Sequence, residues 1–267
     1  MISVVITAYN AEPFIRDAVR SVLGQTHADL ECLVIDDGSV DGTPCALGGI
    51  ADARLRVIEA GRIGRGRALN LGLRESRGRY IAIQDADDLA HPRRLEVELA
   101  AIEGRPDYGG VGTEPLLLTG GSAPVWPAAA AGEDPSPLRD VSRSVVYLNP
   151  LCHSSLLLRR EALEAVKGYS ESRANLYDYD LLIRLVAAGY KLGKLPVPLV
   201  ARRIHPHQFF ERRNRWRYIR AGYGLHRAAR RALGRSWLLE PAFLALCGYR
   251  LLPRWFRLGW RSILRAG

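Results

Sequence analysis

Cysteine is scarce in this chain and widely dispersed. The four cysteines, Cys32, Cys45, Cys152 and Cys247, form no C-x-x-C pair. That spacing gives no support to a zinc knuckle and points instead to buried free thiols in a reducing cytosol. The opening run, MISVVITAYN, has no basic n-region and no small-residue cleavage site, so it reads as a first strand and not a secretory signal. No apolar stretch near the C-terminus continues for the ~20 residues that a membrane-spanning helix needs. No internal repeat occurs, which removes repeat architectures from consideration. Lysine is missing from residue 202 onward. That segment holds 16 arginines and two acids, Glu211 and Glu240, so it carries +14 and leaves −4 for residues 1–201.

With 267 residues, 48% of them hydrophobic, the chain can bury a substantial core as one large domain or two small ones. Its first half alternates strand-like and helix-like segments. ISVVITAY is a β-branched run, and after Pro13 the residues Ile15, Ala18, Val19, Val22 and Leu23 fall at helical spacing. LECLVID, LRVIEA and YIAIQD are further strands, with a helix expected around Ala68 to Ser76. Pro92 suits the first turn of another helix. This alternation predicts an α/β fold with a mostly parallel sheet flanked by helices. Ligands of such sheets bind beyond the carboxyl ends of the strands. The polar clusters lie there: Thr7 to Asn10, Asp36 to Ser39, and Asp85 to Asp88. The pattern weakens from Gly109 to Arg143, where GGSAPVWPAAAAGEDPSP reads as a loop, either a lid or an insertion.

Four stretches could carry chemistry. Asp85 and Asp87, two apart in an extended chain, point the same way and could share one hard cation, as Mg²⁺ sites commonly do with one or two carboxylates. The alternative is that these acids cap the following helix. Asp36-Asp37-Gly38-Ser39 forms a turn that could offer a carboxylate to a base or ribose, or be an ordinary Asp/Gly turn. Gly64-Arg65-Gly66-Arg67 lacks the G-K-[ST] ending of a P-loop, but its arginines could face a diphosphate. In Tyr177-Asp178-Tyr179-Asp180 one carboxylate could cap a helix and another act as general base.

Taken together, VVITAYNAEPFI, LVIDDGSVDGT, ALNLGLRESRGRYIAIQDADDLAHPRRLE, NPLCHSSLLLRR, YDYDLLIRL and RRIHPHQ resemble the inverting family 2 glycosyltransferases with the GT-A fold, over roughly residues 2–208. The resemblance implies a Rossmann-like, mostly parallel sheet flanked by helices, and leaves the basic helical extension after Gln208 outside its reach. It implies a catalytic domain over 1–207, divided into a nucleotide-sugar half (1–108) and an acceptor half (109–207), before a basic tail (208–267). A nucleoside-diphosphate sugar, commonly a UDP-sugar, is the implied donor and Mn²⁺ or Mg²⁺ the cofactor. Thr7, Ala8 and Tyr9, with Glu12 nearby, would line the nucleotide, and Asp36 or Asp37 would hold the base. Arg67 and Asn70 match the segment before the metal motif. Asp87 is the implied metal ligand, Asp85 a donor and metal-side contact, and Ala86 lies between them. His205 matches a histidine that approaches the metal or diphosphate in some relatives; a surface loop histidine is the alternative. The implied base is Asp178, preceded by Tyr177 where the family has Glu. His153 is expected to be structural or to face the acceptor.

Two other classes are considered. A sugar nucleotidyltransferase would need a Gly-rich basic loop after the first strand, where this chain has TAYNAEPF. A non-catalytic nucleotide-sugar-binding scaffold is kept open by Tyr177. The tail carries Trp and Arg among apolar residues interrupted by Glu240, Pro241, Arg250 and Pro253. It suits in-plane helices on an anionic membrane surface, or helices packed on the domain with a solvated arginine face. No nucleic-acid-reading module is present, so nucleic acid is not an expected partner. A lipid-linked glycan acceptor in bacterial surface polysaccharide assembly, and a cytoplasmic site on the inner face of the membrane, complete the expectation.

Overall fold

The structure is a computed structural model that describes residues 1–119, 123–127, 137–173, 175–205 and 215–234. The first half supplies β1 (Ile2–Ala8), α1 (Ile15–Leu23), β2 (Leu30–Asp36), α2 (Thr43–Gly48), β3 (Leu55–Glu59), α3 (Arg65–Glu75) and β4 (Tyr80–Asp85). The second supplies β5 (Leu89–Ala90), α4 (Arg94–Ile102), β6 (Tyr108–Thr119), β7 (Arg139–Asp140), β8 (Leu157–Arg159), α5 (Arg160–Ala165), α6 (Tyr177–Ala187), β9 (Lys191–Ile204) and α7 (Arg215–Ala232).

One sheet runs in the order β3-β2-β1-β4-β8-β6-β9-β5, with β7 paired to β9. The first four strands are parallel. β8 is antiparallel to both β4 and β6, while β6 and β9 run parallel. The parallel sheet read from the first half is therefore joined to a mixed second half. Helices cover both faces. Ile2, Val4 and Ile6 of β1 pack with α1 and α4, whereas Val5 packs with α3 and α6. Tyr80 and Ala82 of β4 face the first layer, and Ile81 and Ile83 the second. Apolar residues on both faces are what a strand covered on two sides requires.

Small residues let these layers close. A Cβ on Gly78 would stand 2.5 Å from the Ser3 backbone nitrogen. The Ser3 hydroxyl oxygen accepts the Gly78 N–H at 2.7 Å and the Arg77 N–H at 3.1 Å. Gly78→Ala should therefore push β4 from β1 and cost about 1–3 kcal/mol. Urea denaturation checks this, and an unchanged midpoint would contradict it.

Three expectations are revised. Cys32 is buried, but Cys45 is exposed because α2 turns only Thr43 and Leu47 inward, and Cys152 is half-buried. Cys247 lies outside the described residues. Neither the acids of the 85–88 turn nor any other first-turn side chain caps α4 locally. Buried Gln25, at the end of α1, accepts the Leu95 N–H at 3.0 Å and donates to the His91 carbonyl at 2.8 Å. The weakly patterned segment after Gly109 begins with β6, a 12-residue strand. Most of the loop over 120–137 lies outside the described residues; in its described part, Trp126 meets His91 edge-on with centroids 5.0 Å apart.

Candidate active site

Register brings three strand ends to one edge. Ala8 lies opposite Asp36, and half-buried Thr7 opposite Asp85. Beyond them, the loops after β1 and β2 are clipped together. The Asn10 side-chain oxygen accepts the Val40 N–H at 2.9 Å, and Ser39 Oγ accepts the Asn10 N–H at 3.0 Å. Glu12 accepts the Gly42 N–H at 2.9 Å, while Asp41 accepts the Glu12 N–H at 3.2 Å. Glu12 thus shapes the loop opposite.

Asp36 and Asp37 are both buried and both engaged. Asp36 Oδ1 accepts the N–H and hydroxyl of Ser39 at 3.0 and 2.6 Å. Asp37 Oδ1 accepts the N–H groups of Ile63 and Gly64, each at 2.8 Å, and its Oδ2 takes an Arg62 N–H at 2.7 Å. The Arg62 guanidinium carbon then lies over the Tyr9 ring, 3.3 Å from its centroid. Arg62 was not singled out from sequence, because nothing local marks it apart from its neighbours. Asn70 bridges elements: its amide donates to the Tyr169 carbonyl and to Glu171 at 2.9 and 3.0 Å, and it accepts the Tyr169 N–H at 2.8 Å. Arg67 is exposed and lies 3.6 Å from Glu171.

One carboxylate oxygen from each of Asp85, Asp87 and Asp88 lies within 4.8 Å of the other two. Asp85 is paired with Arg65, from the first turn of α3, and lies 3.3 Å from His153 Nδ1. Burial works against its charge, but Arg65, then His153, hold the Asp85 carboxyl well below the usual range. Asp87 meets His205 Nε2 at 3.0 Å, and the His205 ring rests against Phe14. Asp88 is fully buried. It accepts the Ser154 hydroxyl and, at 3.0 Å, the Arg203 N–H. Burial, reinforced by Asp85 and Asp87, pushes its pKa well up. Asp88 is therefore a brace between the 85–88 turn, the Ser154 segment and β9. Ala86 packs at the margin of the core. A hard dication suits this donor set of closely spaced carboxylate oxygens, with Asp85, Asp87 and the His205 imidazole as the groups that could hold it.

Asp178 and Tyr177 open α6 beside this cluster. Desolvation opposes the charge of Arg65; Asp85, and more weakly Tyr177, Asp87 and Asp178, outweigh it and raise the Arg65 pKa above the ordinary value. Arg65 thus pairs with Asp85 and lies in the field of the other three. Its guanidinium lies 5.5 Å from the Tyr177 ring centroid, and the rings of His153, Tyr169 and Tyr177 meet edge to face at 5.7–6.2 Å. Burial, partly offset by Arg65, pushes the Tyr177 phenol up to about 12, so it stays neutral and cannot serve as a second carboxylate. Asp178 accepts an N–H from Asn149 at 2.7 Å. Asp180 instead pairs with Arg173 and Arg184, each at 2.8 Å, and belongs to the scaffold. His153, expected to be structural or to face the acceptor, bridges Asp85 and the Tyr169 hydroxyl, the latter at 3.1 Å.

A parallel first half, an acidic turn after β4 and a mixed second half match the GT-A fold. Two solved structures match it. TarS of S. aureus with UDP-GlcNAc superposes with a TM-score of 0.68 at 18% identity, covering 93% of this chain and 72% of that one. The mannosyltransferase PcManGT from Pyrobaculum calidifontis, with GDP-Man and Mn2+, gives 0.65 at 21% identity, covering 99% and 74%. The family model for glycosyl transferase family 2 matches residues 3–127. The putative glycosyltransferase EpsE of Bacillus subtilis is 31% identical over 196 residues, 71% of this chain and 68% of the relative. The chain belongs to glycosyltransferase family 2.

Proposed function

We propose that this protein is an inverting, metal-dependent glycosyltransferase. Its donor would be a nucleoside-diphosphate sugar, a UDP-sugar foremost, and its acceptor a hydroxyl of a lipid-linked glycan in bacterial surface polysaccharide assembly. The observation that carries this reading is the close set of Asp85 and Asp87 at the sheet edge, with Arg65 paired to Asp85 and 5.5 Å from the ring of Tyr177, the residue before Asp178. The donors and Mn2+ of the two structural neighbours support it.

In this reading residues 1–108 bind the donor and 109–207 the acceptor. Tyr9, Arg62 and the Asp36–Asp37 turn border the base, with Thr7, Ala8 and Glu12 shaping the loop beside it and Arg67 and Asn70 behind it. Asp87 and Asp85, with His205, would hold Mn²⁺ or Mg²⁺, which would supply Lewis-acid neutralisation of the diphosphate. Asp178 accepts the proton of the acceptor hydroxyl as its oxygen bonds to the anomeric carbon. The bond from that carbon to the phosphate oxygen breaks, and its electron pair leaves with the diphosphate. One displacement from the opposite face inverts the configuration. Arg65, and the field of Arg202 that also reaches Asp85, add positive charge near the departing group.

Among the described residues, no helix is long and apolar enough to cross a membrane. α7 buries Leu225, His226 and Ala229 and exposes Arg220, Arg227 and Arg231. That basic face supports the proposal that residues 208–267 meet an anionic membrane on its cytoplasmic side. Residues 235–267 lie outside the described residues.

Isothermal titration tests the donor reading. UDP should bind more tightly with Mn²⁺ than with EDTA, and Asp87→Asn should remove that metal dependence. A panel of UDP-glucose, UDP-galactose, UDP-GlcNAc and GDP-mannose, read as nucleoside diphosphate released, should then identify the donor. Metal-independent binding of UDP by the unaltered protein would contradict the metal assignment. Failure of both UDP and GDP to bind would sink the transferase reading.

A further inference from the structure

The Asp178 carboxylate is held by a neighbour that the chemistry does not consume. Asn149 donates its Nδ2 hydrogen to Asp178 Oδ2 at 2.7 Å, the length of a bond to a charged acceptor. Which end of the amide faces Asp178 is determined locally. Asn149 Oδ1 accepts the Leu151 backbone N–H at 3.2 Å, so the nitrogen end must turn toward the carboxylate. Pro150, next in the chain, biases Asn149 toward extended backbone.

The segment carrying Asn149 is itself clamped. A 3-10 turn, Ser142–Val146, precedes it. The Val145 carbonyl accepts the Tyr179 hydroxyl of α6 at 2.6 Å, and the Val146 carbonyl meets the His226 ring of α7. Tyr179 is the residue after Asp178. The helix that presents Asp178 is thus tied to the 145–149 segment twice, once through Tyr179 and once through Asp178 itself. The charge of Asp178 in turn bears on the Arg65 guanidinium and on the phenols of Tyr169 and Tyr177.

We propose that Asn149 is a positioning residue for the base: it fixes Asp178 Oδ2 and leaves Oδ1 aimed at the acceptor hydroxyl. The inference rests on reading Asp178 as the base. A carboxylate at the open end of a helix would otherwise sample several rotamers, and a misplacement of ~1 Å in a reacting group can cost about a hundredfold in rate.

Two variants separate positioning from mere support of the Leu151 turn. Asn149→Asp keeps the size and the acceptor for Leu151 but replaces the donor with a carboxylate. Two facing carboxylates repel or share a proton, and either outcome removes a freely ionised, correctly aimed base. Asn149→Ala removes both functions. Each should bind UDP with Mn²⁺ as tightly as the wild type. On the panel donor that the wild type turns over best, kcat should fall about 10- to 100-fold with donor KM unchanged. Wild-type kcat in Asn149→Asp would overturn the inference, since a turn-supporting role survives that change. A kcat loss matched by an equal loss of UDP affinity would also overturn it. Asp178→Asn is the control on the underlying reading. Full activity there defeats the base assignment, whereas an inactive Asp178→Asn beside a fully active Asn149→Asp defeats the inference alone. No turnover of any panel donor by the wild type counts against the transferase reading itself.

Discussion

Asp178→Asn should lower turnover about 10²- to 10⁴-fold, the usual contribution of a positioned general base. The substitution preserves shape. The new side-chain oxygen can still accept the Asn149 N–H that now ends on Asp178 at 2.7 Å. What disappears is the oxygen able to take a proton. The fold should tolerate the change. Asp178 does not cap α6, whose N-cap residue is Leu176 in the left-handed region at φ 56. Asp180 and its two arginines, and the Tyr179 hydroxyl, hold that helix by other contacts. Loss of an acidic first-turn side chain costs about 0.3–1 kcal/mol of helix-dipole interaction. Thermal melting and UDP affinity should therefore stay close to wild type while kcat collapses. Turnover within threefold of wild type would rule out Asp178 as the base.

Much of the first half was legible because its physics is local. β-branched runs alternate with helical spacing, and three of the first four strands end in a polar cluster, so the sheet edge could be read before any distances were known. Other features depend on partners far along the chain. α3 starts at Arg65, one turn before the helix expected from Ala68. Gly64, at φ 90, makes the turn into it, and Gly66 passes so close to the Ser170 carbonyl that a Cβ would sit 2.9 Å away. Of these two glycines, Gly64 supplies a positive φ and Gly66 a close approach. β6 was obscured in the same way. A Cβ on Gly109 or Gly110 would collide with Tyr190 or Leu158, so this strand has given up the alternation that marks strands in a sequence. The site shows a similar limit. His153 lies 68 positions from Asp85, and Asn149 lies 29 from Asp178. Nothing near either residue in sequence announces that contact, although both fall within the NPLCHSS stretch already matched to the family.

Glu98→Ala should destabilise the protein by about 3–5 kcal/mol, the cost of leaving a buried ion without its partner. Arg94 and Glu98 are 1% and 0% exposed and pair one helical turn apart in α4, with Nε 3.0 Å from Oε1. Arg94 also donates to the Gln84 side chain at 2.8 Å and to the Ile83 carbonyl at 3.0 Å. Both acceptors belong to the end of β4, immediately before Asp85. Arg94 is therefore a strut beneath the strand that delivers the acidic turn. Removing Glu98 leaves the guanidinium charged in an apolar layer. It can relax only by moving, which would pull on Gln84 and Ile83. Replacing both partners with apolar residues of similar length, Arg94→Met with Glu98→Leu, removes the charge problem. It should recover much of the lost stability, as observed generally for buried pairs. Urea denaturation of the two single variants and the double variant reads this directly. If the double variant were no more stable than Glu98→Ala, the cost would lie in lost packing and not in the orphaned charge. The double variant still lacks the Gln84 and Ile83 contacts. Its UDP affinity in the presence of Mn²⁺ should therefore remain below wild type even where stability returns, because the strand end beneath Asp85 has lost its strut.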